Sequence, residues 1–554
     1  MFGDVLRKFG SLVAPPAGPV VCAAGRVWHL SPDGEALFGG AAPALDEWLA
    51  DGSAEVVKSG PHRTVYRVPL PSGAVYVKHC RINGPRAWAR EVLRAPKARL
   101  EFENAARLRA LGIGAAVPLA WGTPDTRRPG QSFLITRDLA PAVPFTDLIE
   151  ARTLRPHERR ELARGLGAFL ARLHESGVAH PDPHPGNVLV ELGTGAPTFS
   201  LLDVHAIRFG PPLSWAASRA NLVLLNRWFQ LRASRADRAR FWRSYLASRD
   251  TLPNIDAKEL ERATLASNRR FWVTRTARYK GSHRTVRKIR VGRVSGLAVR
   301  DLPDGFLRTL LADPDAAFAR PGTRLLKQCV SSTVAELQML TPDGVRTVIL
   351  KRVTVRGAFE PLKNLFRSSA VRRSWLHGHG LRERWLPTPR PLAMFHRHRT
   401  GFLPAEGYLL TEKVPDALGL PEAVKACRDP AIMRAWSERL ARLVRTMHDR
   451  GISHRDLKAP NVMLSNATPV LIDLVGVRAS ANAVPFARRA KELARLNASF
   501  LAVPHVTRTE RLRFLRTYLS AGESGADWKT WWAAVSGATA TKVAKNRRSG
   551  RAIG

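Results

Sequence analysis

The chain has 554 residues, with 88 Lys+Arg against 46 Asp+Glu and a formal net charge of +42 at pH 7. Its length fits two modules of about 250 residues better than one ordinary domain, and 45% hydrophobic with 24% charged residues excludes a disordered or fibrous chain. Cys22, Cys80, Cys329 and Cys427 form no CxxC pair, which excludes a zinc ribbon and a disulfide scaffold, and no apolar run reaches the roughly 20 residues of a transmembrane helix.

Residues 1–50 read as an irregular leader and lead-in, because Asp4 and the prolines at 15 and 16 spoil a signal peptide. Alternating apolar residues in EVVKSGPHRTVYRVPLPSGAVYVK then predict strands, with a turn at 71–73 and Lys78 at the end of the last. A helix follows over 97–112, a strand over 132–138 and an amphipathic helix over 158–177. Next comes the loop HPDPHPGN, with Asp182 and Asn187, and then an apolar strand closed by Asp203. The basic stretch 265–291 reads as the seam, and within it the cluster 269–280, with Trp272 and Tyr279 between cations, reads as a solvated helix face or as a contact to an anionic membrane surface or nucleic acid.

After that seam the order begins again. VYVKHC around Lys78 returns as VILKRV around Lys351, HPDPHPGNVLV as HRDLKAPNVML, and LLDVHAIRF as LIDLVGVRA. Lys78 and Lys351 lie 273 residues apart, His180 and His454 274, and Asp203 and Asp473 270. LLNRWF and RLNASF continue the match, and GRVWHLSPDG and GRVSGLAVRDLPDG precede it. A period this long is a duplicated domain and not a solenoid. The expected organisation is a lead-in at 1–50, domain 1 at 51–285, a lead-in or linker at 286–320 and domain 2 at 321–554. The expected fold class is α+β: two tandem bilobal domains, each a small β-rich lobe joined to a helical lobe, of the protein-kinase-like kind.

HRDLKAPN (454–461) carries the strongest chemical signal. Phosphoryl transfer needs an oriented acceptor hydroxyl and a metal that neutralises phosphate oxygens. Asp456 can accept the hydroxyl proton with Lys458 beside it, while Asn461 and Asp473 can hold the metal. Lys351 suits the α- and β-phosphates. In the first copy Asp182, Asn187, Asp203 and Lys78 occupy the matching places, and Glu101 is the expected partner of Lys78 because it shares a helix face with Ala105 and Leu108. Pro181 and His184 replace the Arg and Lys of the second copy, and no glycine follows Asp203 as Gly476 follows Asp473. The second copy has Ser374 opposite Glu101, so it lacks that ion pair. Neither copy has GxGxxG; Gly60 and Ser331–Ser332 are the candidates for a phosphate-covering turn.

These motifs, with KARLEFENAARLRALGIGAAVPLAWG and WLPTPRPLAMF, resemble the lipopolysaccharide kinase branch of the kinase-like superfamily, the bacterial Kdo and core-heptose kinases, over roughly residues 50–250 and 320–520. HxDxHPxN is also similar to the loop of small-molecule kinases, and HRDLKAPN is shared with Ser/Thr protein kinases. The resemblance implies ATP and Mg2+, a sugar hydroxyl of a lipopolysaccharide-type acceptor, and action at the cytoplasmic face with peripheral contact to an anionic membrane surface. The alternatives are a Ser/Thr protein kinase acting on a protein acceptor and a nucleotide-binding pseudokinase scaffold. Nucleic acid is not an expected partner, since no recognition motif accompanies the charge.

Overall fold

A computed structural model describes residues 18–550 apart from 86–87, 90–91, 93, 127–129, 194, 251–254, 355–367, 399–403 and 522–526. The leader expected at the N-terminus lies outside the described residues up to residue 17. The chain divides into two compact units, Met1–Thr264 and Leu265–Gly554.

Each unit contains one seven-stranded antiparallel sheet. In the first, the strands lie in the order Val20–Ala23, Arg26–Leu30, Pro118–Pro124, Ser132–Arg137, Val75–Cys80, Arg63–Val68, Glu55–Ser59. In the second, the order is Val286–Val291, Val294–Val299, Pro391–His398, Pro404–Glu412, Gly344–Thr354, Ser332–Thr341, Arg324–Cys329. The two orders are the same once the repeat is applied. Register agrees as well: Lys78 stands between Val65 and Leu134, and Lys351 between Val334 and Leu409. The stretches read as lead-ins supply the two outermost strands of each sheet. An antiparallel hairpin added at an edge satisfies backbone groups that would otherwise be left unpaired.

Below each sheet sits a helical lobe with its own core. The helix Pro156–Glu175 buries Leu162, Leu166, Phe169, Leu170 and Leu173, a stripe at three- and four-residue spacing. Its counterpart Pro430–Asp449 buries Leu440, Val444 and Met447. Asp429 caps that helix by accepting from the Ala431 and Ile432 amides at 2.7 and 3.4 Å, and Pro430 opens it. Separate apolar clusters under the sheet and within the helices make each unit bilobal. No helix among the described residues is long and apolar enough to cross a membrane.

Trp272 and Tyr279 of the basic cluster 269–280 pack inward, although the neighbouring Phe271 is exposed. Trp272 lies in the helix Ala257–Ala277 at 1% exposure, with the Arg384 guanidinium 5.6 Å from its ring centre. Tyr279 stacks on His379 at 4.0 Å and donates to Glu383 at 3.1 Å. Burying an indole gains more than leaving it in water, so this stretch packs into the second unit, and the division falls ahead of residue 285.

Three histidines of the second unit are held neutral by burial, with nearby charges assisting: His377 is pushed down to about 4, His379 to about 3 and His396 to about 4. His174 in the first unit is pushed to about 4 in the same way. Their folded values lie below the unfolded 6.5, so the unfolded chain takes up protons first as pH falls. The stability is therefore complete above pH 6.5 and lost progressively towards pH 4, by up to about 1.4 kcal/mol per pH unit for each histidine. Calorimetry from pH 7.5 to 4.5 should show a falling Tm below 6.5; a Tm that stays level over that range would contradict this.

Candidate active site

In the second unit, strand Ile452–His454 leads into the HRDLKAPN segment, and a 3-10 turn, Ala459–Asn461, returns the chain to strand Val462–Ser465. That strand pairs with Thr468–Leu471, Val462 opposite Leu471. The Ile472 amide donates to the Asn461 carbonyl at 3.0 Å, which brings Asn461 against the residue that precedes Asp473. The Asn461 side chain donates to the Asp456 carbonyl at 2.8 Å and to its Oδ2 at 3.2 Å, and Lys458 Nζ lies 3.0 Å from the same Oδ2. Lys351 Nζ reaches from the sheet to Asp473 Oδ1 at 3.1 Å. Residues spread over 122 positions thus meet in one cleft. Burial pushes the Asp456 carboxyl up, but Lys458 and Asn461 outweigh it and hold the group below the usual range.

Asp473 has φ 54° and Asp203 has φ 57°, the left-handed region that costs a non-glycine residue energy. The strain falls on the two aspartates themselves. Gly476 is not in that region, and Ala206 takes its place in the first unit. The glycine that distinguishes the two motifs is therefore not required by backbone conformation.

Behind the loop stands Glu492, on the helix Phe486–Ala498 and 1% exposed. It accepts from the His454 amide at 2.8 Å, and its Oε2 lies 3.1 Å from His448 Nε2. Burial keeps His448 low and neutral. Its Nε2–H then donates to Glu492 while Nδ1 accepts from Tyr518, 2.8 Å away. In the first unit the His174–Tyr245 pair repeats at 2.8 Å, and Asn221 replaces Glu492, accepting from the His180 amide at 3.1 Å. Sequence reasoning missed both supports. The signal was present, since the LLNRWF–RLNASF match places Asn221 opposite Glu492.

The first unit keeps the loop geometry. Asn187 donates to the Asp182 carbonyl at 3.2 Å, and the Leu202 amide donates to the Asn187 carbonyl at 2.8 Å. Lys78 hydrogen-bonds Glu101, which is 6% exposed, whereas Glu103 pairs with Arg99 at 2.7 Å. Asp203 differs from Asp473: its Oδ1 is 3.0 Å from His205 Nδ1 and 3.4 Å from Arg63 Nη1. The His205 hydrogen bond, and then the charges of Arg63 and Lys78, hold its carboxyl far below the ordinary range despite burial. Arg63 was not among the residues read from the sequence. In the second unit Ser374 is buried in the helix Ala370–Glu383, and Lys351 pairs with Asp473. Gly60 and Ser331 sit in the turns joining Glu55–Ser59 to Arg63–Val68 and Arg324–Cys329 to Ser332–Thr341, and Ser332 begins the latter strand.

A hard divalent cation suits oxygen donors. Asp473, Asn461 and Asp456 offer such oxygen donors on adjoining segments and suit Mg2+ by their chemistry. In the first unit, ligand atoms of Glu101, Asp203 and His205 come within 4.8 Å of one another. Asp473 also meets a cation, Lys351, but a single one that nucleotide phosphates can take over, whereas Asp203 Oδ1 meets both Arg63 and His205 and Lys78 is paired with Glu101, so the fit to Mg2+ is poorer in the first unit.

The sequence profile of the lipopolysaccharide kinase (Kdo/WaaP) family matches residues 75–245 and 363–518, together more than half of the chain. The second match begins after Lys351, whereas the first includes Lys78. Among curated relatives, the lipopolysaccharide core heptose(I) kinase WaaP of Pseudomonas aeruginosa is 33% identical over 123 residues, covering 20% of this chain and 45% of that protein. The chain thus spans less than half the length of that relative. A solved structure, WaaP in complex with acyl carrier protein, has 20% identity and a TM-score of 0.33, over 44% of this chain and 97% of that one. With one family match in each unit, on a fold and a motif order that repeat, the chain belongs to the lipopolysaccharide kinase (Kdo/WaaP) family, in tandem duplicate.

Proposed function

We propose that the chain is an ATP-dependent phosphotransferase whose second unit transfers the γ-phosphate to a sugar hydroxyl of a lipopolysaccharide-type, anionic glycolipid. The observation that carries this reading is the convergence of Lys351 on Asp473 and of Lys458 and Asn461 on Asp456. Asp456 accepts the proton as the acceptor oxygen bonds to the γ-phosphorus, the β–γ bridge breaks and ADP leaves. Lys458 offers its charge to the transferring phosphoryl group. Lys351 exchanges Asp473 for the α- and β-phosphates. Asp473 and Asn461 would hold Mg2+, which supplies charge neutralisation of the phosphate oxygens. The net charge of +42 supports an anionic acceptor and peripheral attachment to anionic lipid at the cytoplasmic face, where ATP is found.

The test is γ-labelled ATP incubated with lipid and protein fractions of an extract. Label is expected in the lipid phase; label on protein alone would favour a protein acceptor, and no transfer to either would favour a scaffold. In the same assay Asp182→Ala should lower turnover by no more than about tenfold, because it removes no contact to the reacting group. Equal loss from Asp182→Ala and Asp456→Ala would mean that both units carry the reaction.

A further inference from the structure

We propose that the first unit binds a nucleoside triphosphate without a divalent cation, Arg63 and Lys78 supplying the positive charge that the metal supplies in the second unit. The inference rests on the nucleotide reading above and extends it to the unit whose site fits Mg2+ poorly.

Arg63 opens the strand Arg63–Val68 directly after the turn containing Gly60, the part of the cleft where a phosphate-covering turn belongs. Its guanidinium crosses from the sheet to Asp203 Oδ1 at 3.4 Å, and His205 Nδ1 occupies the same oxygen at 3.0 Å. Lys78 lies on Glu101. A dication bound to Asp203 and Asn187 would have to displace the guanidinium and the imidazole from Asp203 Oδ1, and would be repelled by Arg63 and Lys78 while they remained close. A triphosphate meets the opposite situation. The guanidinium presents donors in a fixed fork that matches two phosphate oxygens, and Lys78 adds a point charge beside it. Together they carry two positive charges, the same as one Mg2+.

The second unit lacks this device. Val65 opposes Lys78 and Val334 opposes Lys351, so the position two residues earlier is Arg63 in one sheet and Ser332 in the other. A serine hydroxyl neither repels a dication nor replaces it. Asp473 there meets Lys351 at 3.1 Å, a single cation that the phosphates can draw away, whereas Asp203 Oδ1 is met by Arg63 and His205 together. Without a metal to neutralise the phosphate charge, the first unit holds its nucleotide without turning it over.

Equilibrium dialysis of radiolabelled ATP against the full chain tests this. One ATP per chain is expected in EDTA and two in MgCl2, with Lys351→Met removing only the metal-dependent equivalent. Arg63→Ser should weaken binding in EDTA by about tenfold or more, as expected for a lost charge-assisted contact, while Arg63→Lys should retain most of it. A thermal melt of each variant confirms that it is folded. No binding in EDTA alongside two equivalents in MgCl2 would overturn the inference and leave the proposed kinase standing, as would EDTA binding that Arg63→Ser does not change. Absence of ATP binding in both conditions would remove the nucleotide reading of both units.

Discussion

Asp456→Asn is expected to lower phosphotransfer by about a thousandfold, within the usual range for a lost general base, while the protein stays folded. The amide has the shape of the carboxylate and can still accept from Asn461, which now bonds Oδ2 at 3.2 Å. It cannot take a proton. In the native site the carboxyl is held below the usual range, because Lys458 and Asn461 outweigh burial, so it stands ionised at neutral pH and ready to accept. About half of the Asp456 side chain is exposed, so little packing is disturbed. The measurement is kcat for label transfer, with a melt to confirm folding and ATP dialysis to confirm that nucleotide still binds. Activity above a tenth of the wild-type value would mean that Asp456 does not take the proton.

Glu492→Ala is expected to have the largest effect on stability, a loss of about 3 kcal/mol in the second unit. The carboxylate is 1% exposed and receives both the His454 amide and His448. Alanine would leave two buried N–H donors without a partner and a void behind the loop that carries Asp456. The same change should reduce kcat, since His454 anchors the segment that carries Asp456. Glu492→Gln should do less harm on both counts, because its amide oxygen can still accept from the His454 amide, as the neutral Asn221 does from the His180 amide. Urea unfolding of the three proteins measures this. A loss below about 1 kcal/mol for the alanine variant would show that the loop does not depend on this support.

The repeat and the order of the chemical groups could be read from the residues alone. Apolar periodicity reports which face of a segment is buried, and it is local, so the strand of Lys78, the helix of Glu101 and the helix before each loop were legible. The roles of Trp272 and Tyr279 were not. Aromatic residues between cations look alike whether they face a membrane or a core, and only packing against Arg384 and His379 distinguished the two.

By itself, the sequence of this protein determined that a bilobal domain occurs twice and that each copy carries a lysine, an aspartate, an asparagine and a second aspartate in order, because these are properties of single segments and their spacing. Only the tertiary structure decided which charges meet: Lys78 with Glu101 but Lys351 with Asp473, Arg63 and His205 on Asp203, Glu492 beneath His454. It also decided that the hairpins Val20–Leu30 and Val286–Val299 complete the sheets. The reason is that hydrogen bonds and ion pairs depend on distances of about 3 Å between groups that can lie more than a hundred residues apart, and those distances exist only once the chain is folded.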